Sequence, residues 1–384
     1  MKEGWEYKKL GEVCTFTQGM QVPIEEQSLL KEDGFVRFLR IIDFTQGKEE
    51  PRYVRCTNDK YILHNNEIAI VRYGTPGFVC YGKIGAIANN LFKITPNQDY
   101  KFNSKFLVYW LNSNAFQLAV RNNQYGVALQ AIKFSTIHGI SIPIPPLSEQ
   151  QRIVSELDLL SSIIEKKKTQ LKEYDQLAQS IFYDMFGDPI TNEKGWEVRK
   201  LGEVGELQRG SGLSKKDLIE NGYPCILYGQ IHTKYGAFTK KHIACIPQEL
   251  VKTAKIAHFG DVIMAITSED VEGSCKSVAW MGDYDIAVGS DAAIYRHTMN
   301  GIYVSYYTQT KAFYFEKAKY AKGFKVTHIS TKEIANIPIP LPPLPLQQDF
   351  ADKVEAIERQ KTLIQQSIDE VQTLFDSRMD YWFG

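Results

Sequence analysis

The sequence lacks the features that most directly mark a secreted, membrane-spanning or zinc-binding protein. Its six cysteines include no CxxC pair, so neither a disulfide framework nor a zinc site is indicated. It has no run of about 18 apolar residues, and the charged first residues contain no apolar signal-peptide core. Basic and acidic side chains number 45 each, so the net charge indicates no partner. We expect a cytoplasmic protein with reduced cysteines.

Motifs for catalysis are also missing. The sequence has no glycine-rich nucleotide loop, no HExxH metal motif and no (D/N)PP(Y/F) tetrapeptide of the kind that an amino methyltransferase uses. Its seven histidines are scattered, and none recurs at an equivalent place in the two halves described below. We therefore expect no catalytic residue, no metal ion and no cofactor in this chain.

What the sequence does contain is a duplicate of itself. Residues 4–13 read GWEYKKLGEV and residues 195–204 read GWEVRKLGEV, with eight of ten positions identical. IPIPPLSEQQ, which starts at Ile142, is answered 197 positions later by IPLPPLPLQQ, which starts at Ile339. Matched ends with a divergent middle indicate one scaffold used twice, with a different surface each time.

The repeat predicts four segments. Residues 1–146 and 189–343 form the two globular domains, and each has a small basic excess. Residues 147–188 and 344–384 form the two helical segments, and each has an acidic excess. An excess of this size is ordinary surface variation when it occurs once, whereas its recurrence in both halves suits a basic partner-binding face.

The helical segments carry a heptad pattern. Apolar residues recur at alternating spacings of four and three after each proline cluster, which is typical of a coiled coil. Two such helices in one chain most simply pair with each other. Lys167, Lys361 and Arg378 interrupt the pattern, either as tolerated strays or as residues that fix the register. The predicted seam runs through residues 153, 157, 160, 164, 167, 171, 174, 178, 181 and 185 and through the positions 197 residues later.

Each globular half alternates strand patterns with turn signals and ends in helical patterns. Strand patterns occur at 35–44, 67–74 and 83–94, and again at 223–231, 261–266 and 285–297. Helical patterns follow at 104–121 and at about 304–319. The predicted fold class is α/β (α+β), with two units that have curved sheets and are each followed by a long helix.

Basic, amide and hydroxyl side chains concentrate in loops that suit nucleic-acid contacts. One group follows the second strand pattern of each half, and another lies in a late loop around Gly126 or Gly323; the late stretch of the second half also contains Lys317. Such side chains can meet base edges and phosphates, although a solvated turn is the alternative. The candidate DNA-binding residues are Arg72, Tyr73, Thr75, Arg121, Gln124, Gln130 and Lys133, together with Thr267, Ser268, Lys322, Lys325, Thr327 and His328.

The two variable units resemble the specificity (S) subunit of type I DNA restriction-modification systems. Each unit ends in (I/L)P(I/L)PPL, then QQ, then a long helix, and the resemblance covers the whole chain. The openings at 4–13 and 195–204 match the unit starts of that family, and PPLSEQQRI at 145–153 matches its linker. The second linker departs from the pattern, because Leu346 stands where Glu149 provides the usual glutamate, and this bears on the contact with one methyltransferase partner.

The resemblance implies two target recognition domains and two helices packed as an antiparallel spacer. It implies a non-catalytic subunit that reads a bipartite DNA sequence within a holoenzyme that is a site-specific DNase and adenine methyltransferase. The implied partners are double-stranded DNA, two methyltransferase (M) subunits and two restriction (R) subunits. S-adenosylmethionine, ATP and magnesium would then belong to those partners. Half-sites about one helical turn apart, about 34–36 Å, would be set by the spacer.

Two other classes stay open from the residues alone. One is an interaction protein with two ligand-binding lobes on a coiled coil, which binds no DNA and suits the neutral charge. The other is an enzyme with duplicated lobes, which the missing motifs disfavour.

Overall fold

The structure is a computed structural model that describes residues 4–46, 50–97, 99–122, 131–321 and 327–384. It divides into two compact units. The first comprises Met1–Lys168 with Gln366–Gly384, and the second comprises Thr169–Gln365. Each unit therefore contains one globular part and a portion of each long helix.

The first unit is built on two four-stranded sheets. Its strands are β1 (Glu6–Lys9), β2 (Cys14–Gln18), β3 (Phe35–Leu39), β4 (Arg52–Arg55), β5 (Ile62–Leu63), β6 (Ile68–Val71), β7 (Val79–Cys80), β8 (Gly85–Ile87), β9 (Leu91–Pro96) and β10 (Ser141–Ile144). The sheet orders are β2-β9-β6-β7 and β4-β3-β8-β5, and β1 pairs with β10. Its helices are α1 (Leu10–Val13), α2 (Ile41–Thr45), α3 (Ser104–Asn112), α4 (Asn114–Asn122), α5 (Phe134–His138) and the first part of α6 (Leu147–Phe186).

The second unit repeats this plan with a five-stranded and a four-stranded sheet. Its strands are β11 (Val198–Lys200), β12 (Gly205–Arg209), β13 (Tyr223–Ile226), β14 (Phe238–Thr239), β15 (Cys245–Ile246), β16 (Lys255–Ala257), β17 (Val262–Ala265), β18 (Thr267–Ser268), β19 (Ser277–Trp280), β20 (Ile286–Val288), β21 (Ala292–His297), β22 (Thr327–His328) and β23 (Pro338–Pro340). The sheet orders are β12-β21-β17-β19-β14 and β15-β13-β20-β16, and separate pairs join β11 to β23 and β18 to β22. Its helices are α7 (Leu201–Val204), α8 (Tyr228–Thr233), α9 (Gly301–Tyr307), α10 (Lys311–Ala318), α11 (Thr331–Ile334) and the first part of α12 (Leu344–Phe383).

The predicted α/β (α+β) class is confirmed, and the most apolar strand patterns lie at the centres of the sheets. The pattern at 67–74 contains β6 and the pattern at 261–266 contains β17, and every residue of both strands is buried. Each of these strands has a neighbour on both sides. Continuous apolar runs are expected where both faces of a strand are covered.

Two strand patterns end earlier than predicted and turn into short helices. The pattern at 35–44 divides into β3 and α2, and the pattern at 223–231 divides into β13 and α8. In both helices a side chain in the first turn accepts a backbone N–H at the helix start. Asp43 Oδ2 accepts from the Arg40 N–H at 2.9 Å, and Gln230 Oε1 accepts from the Leu227 N–H at 2.9 Å. These caps favour helix over a longer strand, because they satisfy a donor that a helix start leaves open.

A glycine follows the second strand of each unit because the backbones approach too closely for a side chain. A Cβ atom at Gly19 would lie 2.3 Å from the Ala88 carbonyl oxygen, and one at Gly210 would lie 2.1 Å from the Gly289 carbonyl oxygen. The next residue in each unit forms a parallel bridge to the residue directly after β8 or β20, in the other sheet's connection. The repeat therefore preserves the crossing point between the two sheets.

The first glutamine of each repeated QQ pair locks the start of a long helix to the globular part. The Asn103 N–H donates to Gln150 Oε1 at 2.8 Å, and the Asn300 N–H donates to Gln347 Oε1 at 2.8 Å. Through Nε2, each glutamine also donates to a carbonyl of the proline segment before its helix. Both glutamines are buried, at 1% and 3% exposure. We call these two arrangements the amide clamps.

The second glutamine of each pair completes the amide clamp through the same asparagine. Asn103 Nδ2 donates to Gln151 Oε1 at 2.9 Å, and Asn300 Nδ2 donates to Gln348 Oε1 at 3.0 Å. The Oδ1 atoms of these asparagines cap α3 and α9. One asparagine in each unit therefore joins the cap of a short helix to the first turn of the long helix.

The two long helices pack against each other in opposite directions. In the first unit, the beginning of α6 shares a core with the end of α12, where Ile153 and Leu157 join Met379 and Trp382. In the second unit, Phe182 near the end of α6 shares a core with the beginning of α12. All 20 predicted seam positions are buried or half-buried. The predicted antiparallel pairing is confirmed.

Two of the three basic residues in the seam form ion pairs across the helix pair. Lys361 Nζ lies 2.7 Å from Asp175 Oδ1, with Asp175 on α6 and Lys361 on α12. Arg378 pairs with Glu156, and the Trp382 indole N–H donates to the same carboxylate at 3.2 Å. Because each pair requires one alignment of the helices, these contacts favour the interpretation that the basic residues fix the register.

Replacing Gln347 by leucine should lower the thermal midpoint of unfolding. The substitution leaves the half-buried Asn300 N–H and a buried proline-segment carbonyl without these partners, at a cost of about 1–3 kcal/mol. Calorimetry measures the effect. Gln360→Leu, at an exposed position of the same helix, is the control and should change the midpoint little. Equal midpoints for Gln347→Leu and the wild type would show that the clamp contributes nothing to stability.

Candidate functional site

In the first unit, the turn after β6 lies against the segment that enters α5. The Ile132 N–H donates to the Arg72 carbonyl at 3.0 Å, and Tyr73 forms an antiparallel bridge with Ala131. The Arg72 N–H donates in turn to the Asn90 carbonyl at 2.8 Å. The turn after β6 is thus adjacent to the described end of the late candidate segment, which the sequence suggested separately.

The side chains of this turn are held by neighbours on β9 and in the loop before it. The Arg72 guanidinium carbon lies 5.8 Å from the centre of the Phe92 ring, within range of a cation–π contact. The Tyr73 hydroxyl donates to Asn89 Oδ1 at 3.2 Å. Thr75 is exposed at the tip of the turn. The turn therefore presents a cation, an aromatic ring and a hydroxyl close together.

The second unit repeats the same backbone arrangement with different side chains. Strand β18 pairs antiparallel with β22, which places Thr267 opposite His328 and Ser268 opposite Thr327. Thr267 Oγ1 lies 3.2 Å from His328 Nδ1. His328 is exposed, whereas Thr327 is 5% exposed and offers almost no surface. We therefore regard Thr327 as a residue that positions His328.

A cleft of about 680 Å³ opens beside this strand pair. Helix α8 forms one side of it, and sequence analysis missed Tyr228, His232 and Lys276. The sequence offers one signal for Tyr228 and His232, which is the polar YGQIHT segment after a strand. The strand pattern predicted at 223–231 included most of this segment and so hid the helix. The lining includes Tyr228, His232, Thr267, Ser268, Asp270 and Lys276.

Helix α8 is tied to the β18 turn by hydrogen bonds. His232 Nε2 lies 3.1 Å from the Thr267 carbonyl oxygen, which only accepts, so Nε2 carries the hydrogen. Lys276 Nζ donates to the His232 carbonyl at 2.9 Å. The Tyr228 ring stands edge-to-face with the His232 ring, with 6.1 Å between centres. The wall of the cleft is therefore held in place before any ligand enters.

In the first unit, the equivalent short helix α2 is anchored by a buried carboxylate. Asp43 accepts from Arg37 Nη2 at 2.7 Å and from Arg40 Nε at 3.0 Å. Burial alone would raise the pKa of Asp43, but the hydrogen bonds from Arg40 and Arg37 outweigh burial and hold the pKa below its usual value. Lys83 donates to the Asp43 carbonyl. The cations around α2 are thus fixed around one buried negative charge.

Two more candidates of the first unit lie among the described residues. Arg121 is exposed in the last turn of α4, and Lys133 is exposed immediately before α5. Four candidates lie outside the described residues, as do Gly126 and Gly323: Gln124, Gln130, Lys322 and Lys325.

Lys317 does not belong to an exposed phosphate-contacting surface, contrary to the expectation from sequence. It is 4% exposed, and its Nζ donates to the Glu272 carbonyl at 2.8 Å and to the Ser274 carbonyl. Burial lowers its pKa. Lys317 therefore braces the loop after β18, and charge counting along the sequence could not separate it from its exposed neighbours.

Comparison with known families accounts for the repeat. The profile of the type I restriction modification DNA specificity domain matches residues 2–173 and again residues 193–373. The chain belongs to this family. Each copy of the specificity domain takes in one globular part and most of the long helix that follows it. The family predicted from the repeated openings and linkers is therefore confirmed.

Relatives of the specificity-domain family match over nearly the whole chain. The type I restriction enzyme MjaVIII specificity subunit of Methanocaldococcus jannaschii is 21% identical over 380 residues, which cover 93% of this chain and 86% of the relative. A chain solved in work on complex assembly and conformational transition of the type I R-M system has a TM-score of 0.58 at 20% identity, over 100% of this chain and 98% of that chain. The type I restriction-modification S subunit of M. genitalium has a TM-score of 0.52 at 15% identity, over 98% and 95% of the two chains. These solved chains share the fold.

Within the described ranges, no group of three or more histidine, cysteine, aspartate or glutamate side chains is arranged to hold a metal ion. No helix in the described part of the chain is both long and apolar enough to cross a membrane.

Asp43→Asn should destabilise the first unit at pH 7 by about 3 kcal/mol, because it breaks a buried ion pair. The pKa of Asp43 is lowered in the folded state. Its contribution is therefore fully present above the unfolded pKa of about 3.9 and is lost as pH falls through the lower folded value. Thermal unfolding between pH 7 and pH 3 should show the gap between variant and wild type beginning to narrow below about pH 4. Asp33→Asn, at an exposed site, should show no gap; a gap for Asp43→Asn that is independent of pH would contradict this assignment.

Proposed function

We propose that this chain is the sequence-specific DNA-binding subunit of a type I restriction-modification complex. In this function it reads a bipartite target and directs adenine methylation or cleavage by its partners. The observation that carries the proposal is the double match to the DNA specificity domain. The repeated backbone ladder that brings two candidate loops together in each unit supports it.

The side chains at the two ladders suit the reading of base edges. An arginine such as Arg72 can donate two hydrogen bonds to guanine O6 and N7, and hydroxyls such as those of Thr75, Thr267 and Ser268 accept or donate. Exposed cations such as Arg121 and Lys133 suit phosphates, which fix register without reading sequence. The other candidates for contacts with base edges or phosphates are Gln124, Gln130, Lys322, Lys325 and His328.

Catalysis belongs to the partners in this proposal. The chain would bind no cofactor itself, whereas M subunits would use S-adenosylmethionine and R subunits would use ATP and magnesium. Two M and two R subunits are the proposed complement. The role of this chain is then to place a target for enzymes that lack sequence discrimination of their own.

The outer faces of the long helices are the proposed docking surface for M subunits. Leu177 and Leu374 occupy equivalent positions in the repeat, and they are 46% and 49% exposed. Leu147 and Leu344 form a second equivalent pair, at 48% and 53% exposure. Exposed leucines that recur in both helices suit two copies of one partner, because equivalent surfaces bind equivalent subunits.

Exchange of residues 14–140 for the matching part of another specificity subunit should change one half of the methylated sequence and leave the other half unchanged. Methylation mapping in cells that contain the cognate M subunit measures both halves. A mobility shift with the purified complex and a duplex that contains the mapped site gives the direct binding test. A folded complex that shifts no duplex would leave the alternative of an interaction protein, and a change in both halves would contradict separate reading by each unit.

Removal of one heptad from each long helix, residues 161–167 with 358–364, should shorten the gap between the half-sites or abolish binding. The seam keeps its period after matched deletions, so the helices can still pair, but the spacer is shorter by about 10 Å at 1.5 Å per residue. Methylation mapping reads the gap directly. Deletion from one helix alone is the control, and it should disrupt the complex because the seams no longer match in length. An unchanged gap after the matched deletion would exclude the helices as the measure of spacing.

A further inference from the structure

The lining of the cleft beside α8 carries a net negative charge, counted over the residues that the structure describes. It includes the carboxylates of Glu269, Asp270 and Glu272 and the ammonium of Lys276. All four side chains belong to exposed residues. A negative cleft repels phosphate, so a DNA backbone is not a suitable occupant. The occupant has to offer hydrogen-bond donors.

Two nitrogen donors of the cleft already have partners within the protein. Lys276 Nζ donates to the His232 carbonyl at 2.9 Å, and the hydrogen on His232 Nε2 points to the Thr267 carbonyl at 3.1 Å. Asp270 Oδ1 accepts from the Gly273 N–H at 2.7 Å, which orients the carboxylate and leaves Oδ2 able to accept. The cleft therefore presents acceptors more readily than donors.

Tyr228 supplies the apolar part of the cleft. It lies at the first position of α8, and 41% of it is exposed. An aromatic face beside an acceptor suits a planar base edge that carries an amino group. In the major groove that group is cytosine N4 or adenine N6, whereas guanine O6 and thymine O4 only accept.

The equivalent turn of the first unit has the opposite chemistry. Residues 72–77 read RYGTPG and contain no carboxylate, whereas residues 267–273 read TSEDVEG and contain three. The backbone ladder beside each turn is the same. One scaffold thus offers a cation in one unit and carboxylates in the other.

We propose that the cleft beside α8 is the base-reading site of the second unit, with Tyr228 and Asp270 as specificity-determining residues for a base whose major-groove edge carries an amino group, cytosine or adenine, rather than for its pairing partner on the other strand. The proposal rests on the proposed function, because it assumes that the chain reads DNA. It adds the place, the residues and the class of base that are read.

The test compares the wild-type complex with Asp270→Asn and Tyr228→Ala in selection from duplexes randomised over one half-site at a time. The wild type should select a defined base pair at one position of one half-site, and both cleft variants should act on the selection at that position or next to it. Asparagine both donates and accepts, so Asp270→Asn should relax the choice at that position by about 5- to 100-fold. The other half-site should be selected as before. Tyr228→Ala, at an exposed site, serves as a second variant and should weaken selection at the same or the adjacent position.

Two matched controls lie in the same unit outside the cleft lining. Asp283→Asn removes an exposed carboxylate, and Phe259→Ala removes a ring that is 66% exposed. Both should keep the wild-type preference. Thermal midpoints and co-purification with the M subunit confirm that each complex is intact.

Three outcomes would overturn the proposal. They are unchanged preference in both cleft variants, a uniform rise in affinity for every duplex, and loss of co-purification with an unchanged target. The second means that the carboxylates merely repel the backbone, and the third means that the cleft holds a basic segment of a partner protein. A wild-type complex that selects no sequence would instead refute the proposed function, so the two failures are distinguishable.

Discussion

Gln150 and Gln347 each hold the first turn of a long helix against the asparagine that caps a short helix of the globular part. An apolar contact at this point would let the helix slide or rotate, because dispersion has little directional preference. A buried amide that donates and accepts permits one orientation, since any other leaves polar groups unsatisfied. The direction of each helix is therefore fixed relative to its own sheets. In the proposed function, this direction determines which face of a recognition domain meets the DNA.

The repeat shows which parts of the unit tolerate change. The glycine at the sheet crossing, the amide clamp and the ladder beside the central strand recur in both units, and each depends on backbone atoms or on one buried polar group. The side chains that project from the ladder differ completely, with Tyr73 beside Ala131 in one unit and Thr267 beside His328 in the other. Because the backbone supplies the support, the projecting residues can vary without loss of the fold.

Sequence periodicity was enough for the parts of the molecule in which burial repeats regularly. The seam of the long helices was predictable because apolar residues recur every 3.5 residues on the face that is buried. The central strands were predictable because a continuous apolar run indicates that both faces are buried. The short helices α2 and α8 were not, because their start depends on a single cap from Asp43 or Gln230 within an apolar stretch. The exposure of Lys317 was predicted wrongly for a related reason. The sequence does not distinguish an exposed lysine from one that is buried and donates to carbonyls. Tyr228, His232 and Lys276 were missed since they meet Thr267 and Ser268 only through the fold.

A chain with 45 cations and 45 anions can still select DNA, because selection and attraction have different physical sources. Attraction comes from counterion release at phosphates and scales with the number of cations at the interface. Several cations of this chain are held by internal acceptors, such as Arg37 by Asp43 and Lys317 by carbonyls. These cations contribute little to the attraction between the chain and DNA. Selection comes from hydrogen bonds to base edges and needs only a few fixed side chains. On this physical basis we expect a neutral specificity subunit to bind non-specific duplex only weakly by itself.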